Sequence, residues 1–347
     1  MSKGPVRWGL LSTARINERL IPPLRRSERS NLLAVASRDE KRARAYAAKW
    51  NIPRAYGSYD ALLADPEIDV VYVSLPNSDH AEWSIKCARA GKHILCEKPL
   101  ALIPEDVERM AGAARESGVI LQEAAMYRFH PQTHKVRELV AAGVIGELRF
   151  IQCNFGFTLI NDPDIRREPE KGGGALWDIG SYPVSFARTM AGENPVAVAG
   201  WQLPSDRGVD MDFGGQLHFS AGILAQFTCS FQTLTHWEAK LIGSQGYIHL
   251  DLPWQNQVGA KARVEVVRAG VGATTTFGDS REQLAKELLV YENCDAYFCE
   301  VEATAASILD DAPPTITPED SRGNVATLVA LYTAARENRI VALRERD

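Results

Sequence analysis

Val6-Arg7-Trp8-Gly9-Leu10-Leu11-Ser12-Thr13-Ala14-Arg15-Ile16 is the stretch from which the fold can be read. A short apolar run gives a buried strand, and a turn of small residues then opens a helix. Such a turn presents backbone amides and the positive end of a helix dipole, the arrangement that binds a pyrophosphate. The glycine fingerprint is incomplete. Gly9 is kept, but Leu11 and Ala14 stand where further glycines would fall. Taken alone, a plain tight βα turn is the simpler reading, and residues further along the chain give the dinucleotide reading its weight.

Working outward, β-branched runs alternate with amphipathic stretches as far as about Glu123, the mark of repeated βα units on a parallel sheet. Strands are predicted at Val6–Leu11, Leu32–Ser37, Val70–Leu75, His93–Glu97 and Val119–Gln122. Helices are predicted near Ile16–Arg26, Glu40–Trp50, Tyr59–Ala64, Ala81–Ala90 and Glu105–Glu116. Gly91 stands where a helix C′ residue belongs, and Pro104-Glu105-Asp106 fits a first helical turn. Beyond residue 124 the period changes. A helix near Thr133–Ala142 precedes an alternating run at 148–155, and further alternation at about 196–203, 214–220, 223–233, 236–242 and 246–251 predicts an antiparallel meander. Residues 259–280 read as a loop or short hairpin, 291–310 as a helix stopped by Pro313-Pro314, and 321–338 as a final helix. The predicted fold is α/β followed by α+β. A Rossmann dinucleotide-binding domain spans 1–123, and a substrate-binding and oligomerisation domain with an open, mostly antiparallel sheet spans 124–347, its last helix free to pack back on the first domain.

Composition excludes several classes. At 347 residues and 45% hydrophobic the chain can bury a two-domain core, so disorder is excluded. Basic residues number 39 against 44 acidic, without any Lys or Arg block, which argues against a nucleic-acid partner. No apolar run approaches the ~18 residues of a membrane span, and the start lacks a signal-peptide apolar region, so a cytoplasmic protein is expected. Six scattered Cys without CxxC spacing read as reduced core thiols. His130 and His134 are spaced i,i+4 but straddle a helix start with no acid between them, so no metal is expected.

The tip of the second strand is where an adenosine ribose should lie, and an acid there would accept from the 2′-hydroxyl of NAD. The tip here reads Ser37-Arg38, a hydroxyl and a guanidinium that suit a 2′-phosphate, so NADP(H) is favoured and NAD(H) stays open because Asp39 comes next. The bland alternative makes Arg38 a solvated charge at a helix start.

Glu97-Lys98-Pro99 closes the fourth strand. It joins, in order, the Gly9–Ile16 loop, Leu75-Pro76-Asn77 with His80, Met126-Tyr127-Arg128-Phe129-His130-Pro131, and Gly172-Gly173-Gly174-Ala175-Leu176-Trp177-Asp178-Ile179-Gly180-Ser181-Tyr182-Pro183. Together these resemble the Gfo/Idh/MocA oxidoreductases across most of the first domain and the start of the second. The position of Tyr182 is His in many members and Tyr in the dihydrodiol dehydrogenase and glucose-fructose oxidoreductase branches, which places this chain nearer those.

The resemblance implies an NAD(P)-dependent enzyme moving a hydride between a nicotinamide and a secondary alcohol or ketone of a sugar, polyol or related ring. It implies cofactor contacts from Gly9, Leu11, Ser12, Thr13, Ala14, Arg15 and Ile16, from Leu75, Pro76, Asn77 and His80, and from Glu97, Lys98 and Arg166. Arg128, Trp177, Asp178 and Tyr182 are expected at the substrate. For the two arginines a salt bridge is the alternative, and for Trp177 core packing. Physical argument points to the same crevice, because ligands of open α/β sheets bind outside the carboxyl ends of strands, where Ser12, Asn77 and Lys98 fall. Asp178 and Tyr182 at i,i+4 share a helix face after a glycine run that permits close backbone approach. In the chemistry expected, Lys98 orients and polarises the reacting oxygen, Tyr182 transfers its proton and Asp178 holds a neighbouring hydroxyl. Competing readings are a glycoside-cleaving enzyme that oxidises its substrate transiently and a non-enzymatic cofactor sensor. Alternation at Leu217, Phe219, Leu224, Gln226 and Thr228 suggests a homodimer or homotetramer formed through the open sheet face.

Overall fold

The computed structural model describes residues 4–254, 259–269 and 284–343. The chain divides into two compact units. One runs to Phe129 and includes Glu170–Gly172 and Asp295–Val325; the other comprises His130–Pro169, Gly173–Cys294 and the chain from Ala326.

The first unit is built on a six-stranded parallel sheet of β1 (Val6–Leu11), β2 (Ser30–Ala36), β3 (Arg54–Tyr56), β4 (Val70–Val73), β5 (His93–Glu97) and β6 (Leu121–Ala124). Its order is β3-β2-β1-β4-β5-β6, so the winding reverses between β1 and β4, where open α/β sheets bind their ligands. Connecting helices are α1 (Asn17–Arg26), α2 (Glu40–Lys49), α3 (Tyr59–Leu63), α4 (His80–Arg89) and α5 (Pro104–Ser117). Helices on a parallel sheet bury both its faces, which is why Val70, Val71, Tyr72 and Val73 are all inaccessible and the strands read as continuous apolar runs. The short β3 was not predicted. Its three residues carry no apolar run of their own and pair only with Ala34–Ala36.

The second unit contains α6 (Pro131–Ala141), α7 (Ser181–Ala191) and a nine-stranded sheet. Its strands are β7 (Leu148–Gly156), β8 (Ala197–Pro204), β9 (Asp210–His218), β10 (Leu224–Ser230), β11 (His236–Gly243), β12 (Gly246–Leu250), β13 (Lys261–Ala269), β14 (Leu284–Glu292) and β15 (Val341–Ala342). The order β14-β13-β12-β11-β7-β10-β9-β8-β15 corrects the expected meander. β7 inserts between β11 and β10 and runs parallel to β10, with Leu224 opposite Phe150. A long connection through α7, β8 and β9 separates these two strands, so the chain can return in the same direction, which a hairpin cannot do. One sheet face is buried at Ala225, Phe227 and Cys229, and the other leaves Phe150, Leu224 and Trp201 exposed.

Downstream of β14 lie helices α8 (Ala296–Leu309) and α9 (Pro318–Glu337). The helix expected from residue 291 starts instead at Ala296, capped by Asp295, because 284–292 is β14. That strand buries none of its residues and so lacks the alternation that announces a strand. Of residues 259–280, expected as a loop or short hairpin, 261–269 form β13, paired antiparallel with β14, and 270–280 lie outside the described residues. The unit division also differs from the expected boundary at 123/124. Gln122 Nε2 donates to Thr304 Oγ1 at 3.1 Å and Ser321 Oγ to Glu123 Oε2 at 2.6 Å, so the end of β6 is fastened to chain far downstream.

Candidate active site

After β1 the chain turns at Ser12, whose φ of +148° is a state that residues with side chains rarely adopt. Its hydroxyl holds it there, donating to the Ser74 carbonyl at 2.9 Å and accepting from Ser74 Oγ and the Ala14 amide. Asn17 Nδ2 donates to the Ser12 carbonyl at 2.8 Å. α1 then opens with no side chain capping it, and among the described residues no acceptor meets the amides of Thr13, Arg15 and Ile16. Unpaired donors at the positive end of a helix fit a dinucleotide pyrophosphate. Gly9 and Leu11 are placed otherwise. Leu11 is fully buried, and a Cβ at Gly9 would fall 2.9 Å from Leu62 Cδ2, so Gly9 makes room for α3 rather than for a cofactor.

At the tip of β2, the buried Ser37 donates its amide to the Tyr56 carbonyl at 3.0 Å. Asp39 Oδ1 caps α2, accepting from the amides of Lys41 and Arg42 at 2.8 and 3.2 Å. Arg38 is exposed, and its charge and that of Arg42 both reach the Tyr59 hydroxyl. Arg42 is a candidate that the sequence did not single out, one helical turn beyond Arg38.

The turn after β4 carries half-buried Pro76 and Asn77, and Asn77 Nδ2 donates to the Gly172 carbonyl at 2.9 Å. Leu75 is buried. His80 is wholly buried with Nδ1 2.9 Å from the Pro99 carbonyl oxygen and Nε2 2.9 Å from that of Leu75. Burial lowers its pKa, and the ring ties the turn after β4 to the turn after β5 from behind. This corrects its placement among the cofactor contacts. Lys98 comes directly after β5, half-buried, and the Lys98-Pro99 peptide is cis. Glu97 accepts from the Tyr72 hydroxyl. Deeper in this unit lies Glu300 of α8, fully buried, neither of whose oxygens has a hydrogen-bond partner among the described residues. Burial, then the charges of Glu97 and Asp295, push its carboxyl far up. Arg128 is also largely inside, its Nη1 2.8 Å from Asp320 Oδ2, the salt bridge expected as the alternative to a substrate contact.

In the second unit a Cβ at Gly173 would fall 2.6 Å from the Arg166 carbonyl oxygen, the close approach that the glycine run was expected to permit. Gly174 donates to that carbonyl at 2.9 Å and Gly173 to the Glu168 carbonyl at 3.0 Å. A wide π turn over Leu176–Gly180 then runs into α7. Arg166 Nε donates to Asp178 Oδ2 at 2.5 Å, and Arg166 Nη1 stands 3.3 Å from Asp164 Oδ2. The charge of Asp178 is the main reason the guanidinium pKa is raised. Arg166 and Asp178, expected on cofactor and substrate respectively, are thus one pair. Tyr182 lies on α7 with its ring 5.3 Å from Phe155 and 6.2 Å from Trp254, and half-buried Trp177 packs at 5.4 Å on Tyr332. Ser12, Asn77 and Lys98 therefore share the strand-carboxyl edge of the first unit, while Arg166, Trp177, Asp178 and Tyr182 are gathered in the second.

Residues 6–125 match the model of the GFO/IDH/MocA oxidoreductase family, NAD-binding Rossmann fold, and residues 133–249 that of the GFO/IDH/MocA C-terminal domain. A D-xylose 1-dehydrogenase (NADP(+)) of Haloferax volcanii is 34% identical over 97% of this chain and 99% of its own. A trans-1,2-dihydrobenzene-1,2-diol dehydrogenase of Danio rerio is 38% identical over 70% of this chain and 73% of its own. Among solved structures, a 3-ketoreductase from Actinomadura kijaniata in complex with NADP and TDP-benzene superposes with a TM-score of 0.85 at 30% identity, covering 95% of this chain and 98% of that one. Variants of the same reductase have been solved at one lysine and one tyrosine, separated in its chain by as many residues as Lys98 is from Tyr182. With both of its domains matched and these relatives spanning most of its length, the chain belongs to the Gfo/Idh/MocA family and is an oxidoreductase with an NAD(P)-binding Rossmann fold.

Proposed function

We propose that this enzyme moves a hydride between NADP(H) and a secondary alcohol or ketone of a sugar, polyol or related cyclic substrate, with Lys98 and Tyr182 at the reacting oxygen. The carrying observation is the uncapped start of α1 on the same sheet edge as Lys98, in a chain similar end to end to a xylose dehydrogenase. When bound, the nicotinamide supplies the hydride acceptor or donor. Lys98 orients and polarises the substrate oxygen, and Tyr182 takes or returns its proton. Asp178, held by Arg166, accepts a hydrogen bond from a neighbouring hydroxyl of the ring. NADP is preferred because Ser37, Arg38 and Arg42 offer a hydroxyl and two guanidinium groups to a 2′-phosphate, whereas Asp39 is engaged in capping α2. The exposed apolar face of the second sheet is covered by a second copy of the chain. A groove of about 360 Å³ there is lined by Phe150, Leu224, Ala197 and Ile340, an apolar surface of the kind that marks an interface.

The test is nicotinamide absorbance after mixing the protein with NADP or NAD and a panel of aldoses, polyols and trans-dihydrodiols, beside the Lys98→Met variant. NADP should be reduced with at least one substrate, and the variant should lose about 10²- to 10⁴-fold in kcat with cofactor affinity retained. Turnover that survives in Lys98→Met removes Lys98 from the chemistry.

A further inference from the structure

The segment bearing Trp177, Asp178 and Tyr182 begins with backbone donors that no side chain of its own neighbourhood satisfies. Their partners come from far away in the chain. Asp210, at the start of β9, is buried with 2% exposure, and its Oδ2 accepts the Leu176 amide at 2.7 Å. Its Oδ1 accepts the Tyr332 hydroxyl of α9 at 2.6 Å. Gly174 fits the same arrangement, because at its φ of +123° a Cβ would lie 2.1 Å from Asp210 Oδ1 and 2.8 Å from the Tyr332 hydroxyl. The carboxyl, held in turn by the Tyr332 hydroxyl, therefore meets the Leu176 amide ahead of the bond from the Asp178 amide to the Gly174 carbonyl.

We infer that Asp210 and Tyr332 are positioning residues of the reaction, a cap assembled from β9 and α9 that fixes the start of the helix from which Asp178 and Tyr182 project. Burial raises the pKa of the Asp210 carboxyl, and the Leu176 amide and the Tyr332 hydroxyl that face it oppose that rise. The same atoms fix where the turn begins. Trp177 adds a second tie, its ring packed on that of Tyr332. Loss of the cap lets the turn shift or fray, and a displacement near 1 Å at the reacting groups is enough to slow catalysis. The inference rests on the roles of Asp178 and Tyr182 in the proposed reaction.

The experiment uses the full chain with Tyr332→Phe, which removes one hydroxyl and little volume, beside Asp210→Leu and Asp210→Asn. For each, kcat and KM are measured on the best substrate of the panel, the NADP dissociation constant by titration, and amide exchange at 175–178 by mass spectrometry. Tyr332→Phe is expected to lower kcat about ten- to hundredfold with NADP affinity within about twofold of the parent, and to speed exchange at 175–178. Asp210→Asn, which keeps an acceptor for the Leu176 amide, should recover part of the turnover that Asp210→Leu loses. A general loss of stability would weaken NADP binding and turnover together, which separates it from positioning. Tyr332→Phe with parental kcat and parental exchange overturns the inference, and it does so even if Asp210→Leu fails to fold. If the parent chain turns over no substrate the functional reading falls, and the exchange result alone then decides whether the pair fixes the segment.

Discussion

Two helix starts in this molecule are built in opposite ways. At α1 the sequence brings no cap, and the amides of Thr13, Arg15 and Ile16 are left without an acceptor among the described residues. At Leu176 the amide is met by a buried carboxyl that a tyrosine hydroxyl holds in turn, both drawn from remote elements. The physics of the two ends is the same, a cluster of donors with partial positive charge. In the proposed function the first is left for the cofactor's pyrophosphate, and the second is closed by a carboxyl group of the protein itself. On the proposed function, a start that is open binds the cofactor, whereas one that is closed holds its own side chains in place.

Copying the second arrangement onto the first puts this contrast under the greatest strain. Thr13→Asp places a carboxylate at the open start, where it should raise stability by about 0.3–1 kcal/mol through the helix dipole. The same charge should weaken NADP binding at least about hundredfold, since juxtaposed like charges are unfavourable by several kcal/mol. Thermal melting and NADP titration on one sample check both signs. A smaller effect is expected from Arg38→Ala, about ten- to hundredfold on NADP and little on NAD, because only the charge-assisted bonds to a 2′-phosphate are lost. Calorimetric titration with each nucleotide reads that difference.

Glu300 offers a third case, a buried carboxyl with neither cap nor hydrogen-bonded partner among the described residues. Its pKa is raised in the fold, foremost by burial, so the folded chain keeps a proton that the unfolded chain has released. Its contribution therefore weakens stability progressively as pH rises from the ordinary carboxylate range toward the raised value. Glu300→Gln should match the parent near about pH 4 and exceed it by about pH 7, gaining at most about 1.4 kcal/mol per pH unit. Urea unfolding midpoints at the two pH values would show it, and equal midpoints for parent and variant at neutral pH would refute it. The smallest effect on turnover is expected from Leu224→Lys, which charges the exposed sheet face. Sedimentation should show the variant reduced to monomer with kcat nearly unchanged, and a parent chain that is already monomeric rules out the second copy.

Legibility in the sequence divides along the same line between local and remote partners. β1, β4 and β5 were legible because burial on both faces leaves uninterrupted apolar runs, and His93–Glu97 matches its predicted limits. β3 and β14 were not, since one is too short to carry a pattern and the other buries nothing. The place of β7 beside β10 depends on a long-range pairing that alternation cannot encode. Of the residues proposed for the site, Ser12, Lys98, Asp178 and Tyr182 are carried by local motifs and can be picked out from the chain alone. Those defined by tertiary partners cannot. Nothing in Asp210-Met211-Asp212-Phe213 singles out Asp210, and only the fold shows that His80 and Arg128 face inward.

One measurement separates the open helix start from the closed one: NADP binding and sugar turnover in Thr13→Asp and Tyr332→Phe, each against the parent. Thr13→Asp is expected to lose NADP binding, while Tyr332→Phe binds NADP normally and turns over about ten- to hundredfold more slowly. Undiminished NADP binding by Thr13→Asp, or a Tyr332→Phe variant that fails in binding rather than in turnover, would contradict the division between a start that binds and a start that holds.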